Sequence, residues 1–273
     1  MDAADAVKLR DSYQMPRLGL GTYMVGKESV CNALKSGYRL IDTASLYGNE
    51  EGVGEAIQES GIPREELFVV TKAWNNEHGR EEINEAFQRS LKKLGLDYVD
   101  LYLMHSPAGG RLLETWDTMC QLQAKGLIRS VGVANFNASH LTELKKARPD
   151  NIPMVNQIEI HPFVSWNECL EVCQREGITV MAYSPLAQAG KLTDPTLVGI
   201  AGKYDRSPAQ VMIRWSLQRG FVCIPRSSKD SRIKENASVF DFTLSQEDMA
   251  TLNGMDVGYI ADWPGIMQSP WDP

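Results

Sequence analysis

Along this chain, short apolar runs rich in Val, Ile and Leu alternate with longer stretches in which apolar positions recur every three or four residues. The short runs predict strands at residues 18–21, 39–42, 68–72, 101–105, 131–135, 155–159, 179–183 and 222–225. Helical spacing occupies 50–60, 80–94, 112–125, 138–147, 167–176 and 208–219. Gly37, Gly61, Gly95, Gly126, Gly177 and Gly220 each stand just past a helical stretch and a few residues before an apolar run. Glycine there suits a left-handed helix end that turns into the next strand.

Eight such βα units, with no linker and no break in composition, predict a single (β/α)8 barrel of the TIM type over residues 1–273. Residues 7–16 read as an N-terminal β-hairpin that caps it. The competing architecture, an open doubly wound sheet, usually carries Gly-x-Gly-x-x-Gly after its first strand. Gly19 and Gly21 fit the first two positions, but Gly26 falls out of place for the third.

Candidate chemistry sits at the ends of the predicted strands. Asp42, Lys72 and His105 each close an apolar run, and Tyr47 lies on the loop after the first of these. In a parallel sheet those ends share one side, so the four side chains are able to converge. A tyrosine serves as a general acid if its phenol, with an ordinary pKa of about 10, is brought closer to the working pH. A lysine ammonium nearby stabilises the phenolate, an aspartate holds the lysine, and a neutral histidine orients a substrate oxygen.

The net charge of −7 and the pI near 5.2 argue against nucleic acid or an anionic membrane as partner, while leaving room for a local basic pocket. Residues 1–8 lack the order of a secretory leader, and no apolar run approaches the roughly 20 residues of a membrane span, so a cytoplasmic location is expected. The five cysteines are odd in number and scattered, unlike a secreted disulfide framework. Cys169 and Cys173 share a helix face, where small buried thiols are the ordinary reading and a metal or redox pair the sharper one. A metal-dependent hydrolase on the same barrel would need several strand-end histidines; His78, His105, His140 and His161 are the whole supply and form no HxH pair.

The segment from Gly37 to Glu50, ending Leu46-Tyr47-Gly48-Asn49-Glu50, resembles the signature of the aldo-keto reductase family. The resemblance continues through Thr71-Lys72, Asp97 to His105, Val131 to Phe136, Asn156 to Glu159, Tyr183-Ser184-Pro185-Leu186 and Ile224-Pro225-Arg226-Ser227, in the family's order over nearly the whole chain. It implies an NADPH-dependent oxidoreductase that reversibly reduces aldehydes or ketones to alcohols, working as a monomer on small carbonyl compounds. Tyr47 would be the general acid, Lys72 and Asp42 its tuning pair, and His105 the residue that places the carbonyl. Asn135 and Gln157 would hold the nicotinamide carboxamide and Tyr183 would stack on the ring. Gly21, Thr22 and Tyr23 would pass the ribose, and Ser184 and Leu186 the pyrophosphate. Arg226, Ser227, Ser228 and Arg232, near the start of a short helix, would receive the adenosine 2′-phosphate, with Glu235 and Asn236 at the adenine.

Three positions depart from the family pattern. Arg226 stands where lysine is frequent, Ala134 where serine is usual, and Ser106 replaces the indole of the commoner His-Trp-Pro. The last change removes an apolar wall from the substrate pocket. Trp74 is expected on another side, and a tail with Tyr259, Trp263 and Trp271 is expected to fold over the mouth. The short loop and tail resemble compact members of the family, similar to diketogluconate reductases and prostaglandin F synthases, some of which act on diketo acids, methylglyoxal-like aldehydes or prostaglandin precursors. A different class remains open beside the enzyme: a nucleotide-binding regulatory or structural protein on the same fold, with little turnover.

Overall fold

The computed structural model describes residues 6–273, so residues 1–5, part of the stretch read above for a leader, lie outside the described residues. Strands β1 (Ala6–Lys8) and β2 (Gln14–Pro16) pair antiparallel as the expected hairpin. Eight parallel strands follow: β3 (Gly19–Gly21), β4 (Leu40–Asp42), β5 (Phe68–Ala73), β6 (Val99–Met104), β7 (Ile128–Ala134), β8 (Val155–Glu159), β9 (Thr179–Tyr183) and β10 (Val222–Cys223). They neighbour one another in chain order, and parallel bridges Leu18 to Cys223 and Gly21 to Arg226 bring the last strand back to the first. This is the predicted (β/α)8 barrel with its hairpin.

Around it run α1 (Lys27–Lys35), α2 (Glu50–Ser60), α3 (Arg80–Leu94), α4 (Leu112–Ala124), α5 (Ala138–Ala147), α6 (Asn167–Glu176), α7 (Pro195–Lys203), α8 (Pro208–Gln218), α9 (Asp230–Ala237) and α10 (Gln246–Asn253). Local chemistry sets many of their ends. Asn137 and Ser207 cap α5 and α8 through their side chains, Asp194 caps α7, and Pro195 and Pro208 open their helices with a φ already suited to them. All six glycines expected to end helices adopt positive φ, between 64° and 92°. The strand bounds moved more. β6 and β7 begin two and three residues earlier than predicted and stop before His105 and Asn135, while β10 keeps only Val222 and Cys223.

Alternation along the strands explains where the site lies. Leu40, Phe68, Val70, Leu101, Leu103, Val155, Met181 and Val222 fill the barrel interior, and Leu9 and Met15 of the hairpin plug its lower end. With a period of two, the next inward positions toward the C-terminal end are Asp42, Lys72, His105, Gln157 and Tyr183. The apolar column therefore ends in a polar layer at the upper rim.

Helix α2 packs on the end of α3 where Gly54 has no side chain to interpose. A Cβ there would meet the Leu94 carbonyl oxygen at 2.3 Å. Helix propensity alone favours alanine by about 1 kcal/mol, but overpacking against backbone costs about 1–3 kcal/mol. Gly54→Ala is expected to lower the urea midpoint of unfolding; a variant at least as stable as the wild type would contradict this packing.

Candidate active site

At the upper rim Lys72 lies fully buried with its Nζ 2.5 Å from Asp42 Oδ1 and 2.9 Å from the Thr43 carbonyl. The other oxygen of Asp42 accepts from Gln157 Nε2 at 2.7 Å, so a strand on the far side of the barrel fixes the carboxylate. Tyr47 reaches the same ammonium from the short 3-10 turn Ser45–Tyr47, which ends on Gly48 at φ 65°; Lys72 Nζ donates to Tyr47 Oη at 3.3 Å. Burial pushes Asp42 up and Lys72 down from their ordinary pKa values, and their mutual contact opposes both shifts.

The phenol of Tyr47 departs from the expectation. Burial, and after it the charge of Asp42, raise its pKa well above 10, whereas the tyrosine–lysine pairing was expected to lower it. The residue itself is half-buried on the wall of the open cleft, and residue types alone did not reveal which groups would surround its phenol. Tyr47 therefore stands as a protonated hydroxyl that accepts a hydrogen bond from Lys72.

His105 follows the end of β6, its ring edge-on to Tyr47 at 5.6 Å between centroids. Burial first, then the charges of Lys72 and His78, hold its pKa well below the ordinary imidazole value, which keeps the ring neutral. Among the described residues its Nδ1 is buried without a hydrogen-bond partner. Trp74 stands 5.0 Å from this ring and Trp263 of the tail 5.3 Å, with the two indoles 5.1 Å apart.

A cleft of about 610 Å³ opens in front of these groups. It is lined by Asp42, Tyr47 and His105 and by every residue expected at the cofactor: Gly21, Thr22, Tyr23, Asn135, Gln157, Tyr183, Ser184, Leu186, Arg226, Ser227, Ser228, Arg232, Glu235 and Asn236. Lys72 lies behind the wall, and Trp74 touches the site only through His105 and Trp263. Asn135, at φ 61°, donates Nδ2 to the His105 carbonyl at 2.8 Å and accepts from Tyr183 Oη at 2.9 Å. That left-handed backbone is unusual outside glycine, and asparagine tolerates it best. Gly21 serves a second purpose, since a Cβ would meet the Ile224 carbonyl oxygen at 2.9 Å where the barrel closes.

At the outer end of the cleft Arg226 and Arg232 are exposed, and among the described residues neither forms an ion pair, whereas Lys234 is paired with Asp230 at 2.8 Å. Ser227 Oγ accepts from Lys229 N at 3.1 Å and shapes the approach to α9. Glu235 already accepts from Ser207 Oγ, and Asn236 is buried.

The tail departs from the expectation in part. Trp263 lines the cleft, but Tyr259 lies under Lys191, and Trp271 stacks on His140, whose Nε2 meets the Ser269 carbonyl at 2.8 Å. Ser106, where an indole was expected from the resemblance, is fully buried and donates to Asn75 Oδ1 at 2.7 Å. Sequence reading passed over Asp262, Gln188, Ala189, Leu192 and Ser207 on the cleft wall. A run of positive φ at Ser184 and Ala187–Ala189, invisible in the residue types, marks the loop of Gln188 and Ala189, while Ser207 caps α8 and Asp262 lies on the tail. Cys169 and Cys173 are buried, with Cys169 Sγ 3.3 Å from the Phe136 carbonyl.

Residues 17–257 match the model of the aldo/keto reductase family. A glyoxal reductase of Bacillus subtilis (strain 168) is 48% identical over 257 residues, covering 92% of this chain and 93% of that protein. The crystal structure of an aldo/keto reductase from Brucella melitensis superposes with a TM-score of 0.89 at 44% identity, over 92% of this chain and 99% of that one. A Bombyx mori aldo-keto reductase, solved in complex with NADP, gives a TM-score of 0.90 at 37% identity, over 98% and 97% of the two chains. The chain belongs to the aldo/keto reductase family, a class of oxidoreductases.

The histidine at the centre of the site carries a pH signature. Because the folded pKa of His105 is depressed, the unfolded chain binds the extra proton as pH falls below about 6.5, so its contribution to stability is present above that pH and lost below it. The slope it adds is at most about 1.4 kcal/mol per pH unit. In urea unfolding between pH 8 and pH 5, His105→Gln is expected to lose stability less steeply than the wild type; parallel curves would mean that the imidazole is not held neutral.

Proposed function

We propose that this protein reduces small aldehydes and ketones to alcohols with NADPH, Tyr47 providing the proton. The observation that carries this reading is the unbroken line of hydrogen bonds from Gln157 through Asp42 and Lys72 to Tyr47 Oη, at 2.7, 2.5 and 3.3 Å. It ends on a hydroxyl that faces the cleft beside a neutral imidazole.

The cleft residues fit the cofactor. Arg226 and Arg232, which form no ion pair among the described residues, would with Ser227 and Ser228 hold the 2′-phosphate at the outer end, and Glu235 and Asn236 the adenine. Ser184 and Leu186 would flank the pyrophosphate, and Gly21, Thr22 and Tyr23 the ribose. Asn135 and Gln157 would hold the carboxamide while Tyr183 offers a flat face to the ring. NADPH, when bound, supplies the hydride that makes the reaction a reduction.

The chain's own residues handle the oxygen. A carbonyl oxygen within reach of Tyr47 Oη accepts the phenolic proton as negative charge develops on it, and the ammonium of Lys72 then stabilises the phenolate left behind. Asp42 keeps that ammonium charged and in place. His105, being neutral, donates a hydrogen bond to the same oxygen without competing for the proton. Trp263 on the cleft wall, backed by Trp74, would shield the reacting face from water.

Tyr47→Phe is expected to lower kcat for NADPH oxidation with a panel of small aldehydes by about 10²-fold or more while NADPH binding persists. Equal rates would sink the proton-donor role, and cofactor binding without turnover in the wild type would favour a regulatory protein. Arg232→Ala is expected to weaken NADPH by about tenfold or more and leave NADH unchanged in a tryptophan-fluorescence titration, since the loss of one charge-assisted contact costs roughly 1.5–3 kcal/mol. Similar losses for both nucleotides would place the phosphate elsewhere.

A further inference from the structure

Asp262 is a carboxylate on the cleft wall that the proton-transfer chemistry does not use. It is built into place. The buried carboxylate of Glu159, at the end of β8, accepts the backbone N–H of Ala261 at 2.7 Å and of Asp262 at 2.9 Å, and His161 Nε2 stands 3.0 Å from the same group. This clamp carries the next residue, Trp263, at the strained φ of 43°, to within 5.3 Å of the His105 ring. Asp262 is thereby fixed on the wall of the cleft that Tyr47 and His105 also line.

Its charge is not cancelled by a cation. Among the described residues Asp262 forms no ion pair, and the groups that face it are Glu159, the amide of Gln188 and the hydroxyl of Ser184. Asp262, Tyr47, His105 and Tyr183 line the same cleft, so its carboxylate shares the space into which the reacting groups face. A half-buried negative charge in such a cleft acts through less water than a surface charge and is felt more strongly.

We propose, resting on the carbonyl-reductase reading above, that Asp262 is a specificity-determining residue that turns away carbonyl compounds bearing a carboxylate near the reacting group and favours neutral or cationic aldehydes. Of the substrate classes open to the compact members, methylglyoxal-like aldehydes then fit this pocket and diketo acids do not. Rejection by like charge is a common route to specificity, because the wrong ligand loses more than the right one gains.

The test compares aldehydes of one shape and three charges: para-trimethylammonio-benzaldehyde, the methyl ester of para-carboxybenzaldehyde, and para-carboxybenzaldehyde itself. In wild-type protein with NADPH, kcat/KM is expected to fall in that order, with about tenfold or more between ester and carboxylate. Asp262→Asn should narrow the ester-to-carboxylate ratio toward one, chiefly through KM for the carboxylate, and Asp262→Glu should preserve it. A wild-type ratio near one, or a ratio the same in Asp262→Asn as in wild type, overturns the role of Asp262 while leaving the reductase reading intact. Absence of turnover with all three aldehydes in the wild type overturns both.

Discussion

A lysine ammonium with no exposure to water is tolerable in a protein interior only when it is paired and hydrogen-bonded. Lys72 meets that demand with Asp42 and the Thr43 carbonyl, and the demand organises the upper half of the barrel. Asp42 and Lys72 lie on adjacent strands, where Asp42 is in register with Val70, so the pair forms only while β4 and β5 keep that register. Gln157 then ties the aspartate across the barrel interior, and Tyr47 takes the ammonium's remaining contact. Shifting either strand by one residue would turn one charge out of the interior and leave the other buried alone.

Above this rigid floor the site is finished by segments with few local constraints. The tail from Ala261 to Trp263 owes its place to the Glu159 carboxylate, a contact spanning 102 residues for Ala261. Its indole occupies space beside His105 in a chain that has Ser106 rather than an indole next to the histidine. Loops laid over a fixed scaffold are where members of a barrel family diverge in substrate while sharing their chemistry.

Much of this was legible in the residue order. Each apolar run and the period-3.6 stretch behind it depend on neighbours along the chain, so strands and helices were readable to within a few residues, and the helix-ending glycines were readable from the φ they must adopt. Asp42, Lys72 and His105 were legible because they terminate runs whose inward phase carries them to the rim, and Tyr47 because it stands on the loop just after the first of those runs. Asp262 was not. Its neighbours Ala261 and Trp263 look like ordinary tail residues, and what makes it part of the cleft is a carboxylate on a distant strand. The upward direction of the Tyr47 phenol's pKa was not legible for a related reason: the pairing with Lys72 is a matter of residue type, but burial is a matter of everything packed around.

Gly54 draws the same line within a single residue. Its helix would accept alanine gladly, and only the approach of the Leu94 carbonyl at 2.3 Å from a would-be Cβ forbids it. The sequence by itself determined the period of the eight strands and of six of the helices, the barrel those periods build and the polar layer at the strand ends, because these follow from interactions between residues close in the chain. The tertiary structure alone decided how deeply each group is withdrawn from water, which loop supplies the pocket wall and where Asp262 sits, because burial and long-range contact depend on parts of the chain that meet only after the barrel has closed.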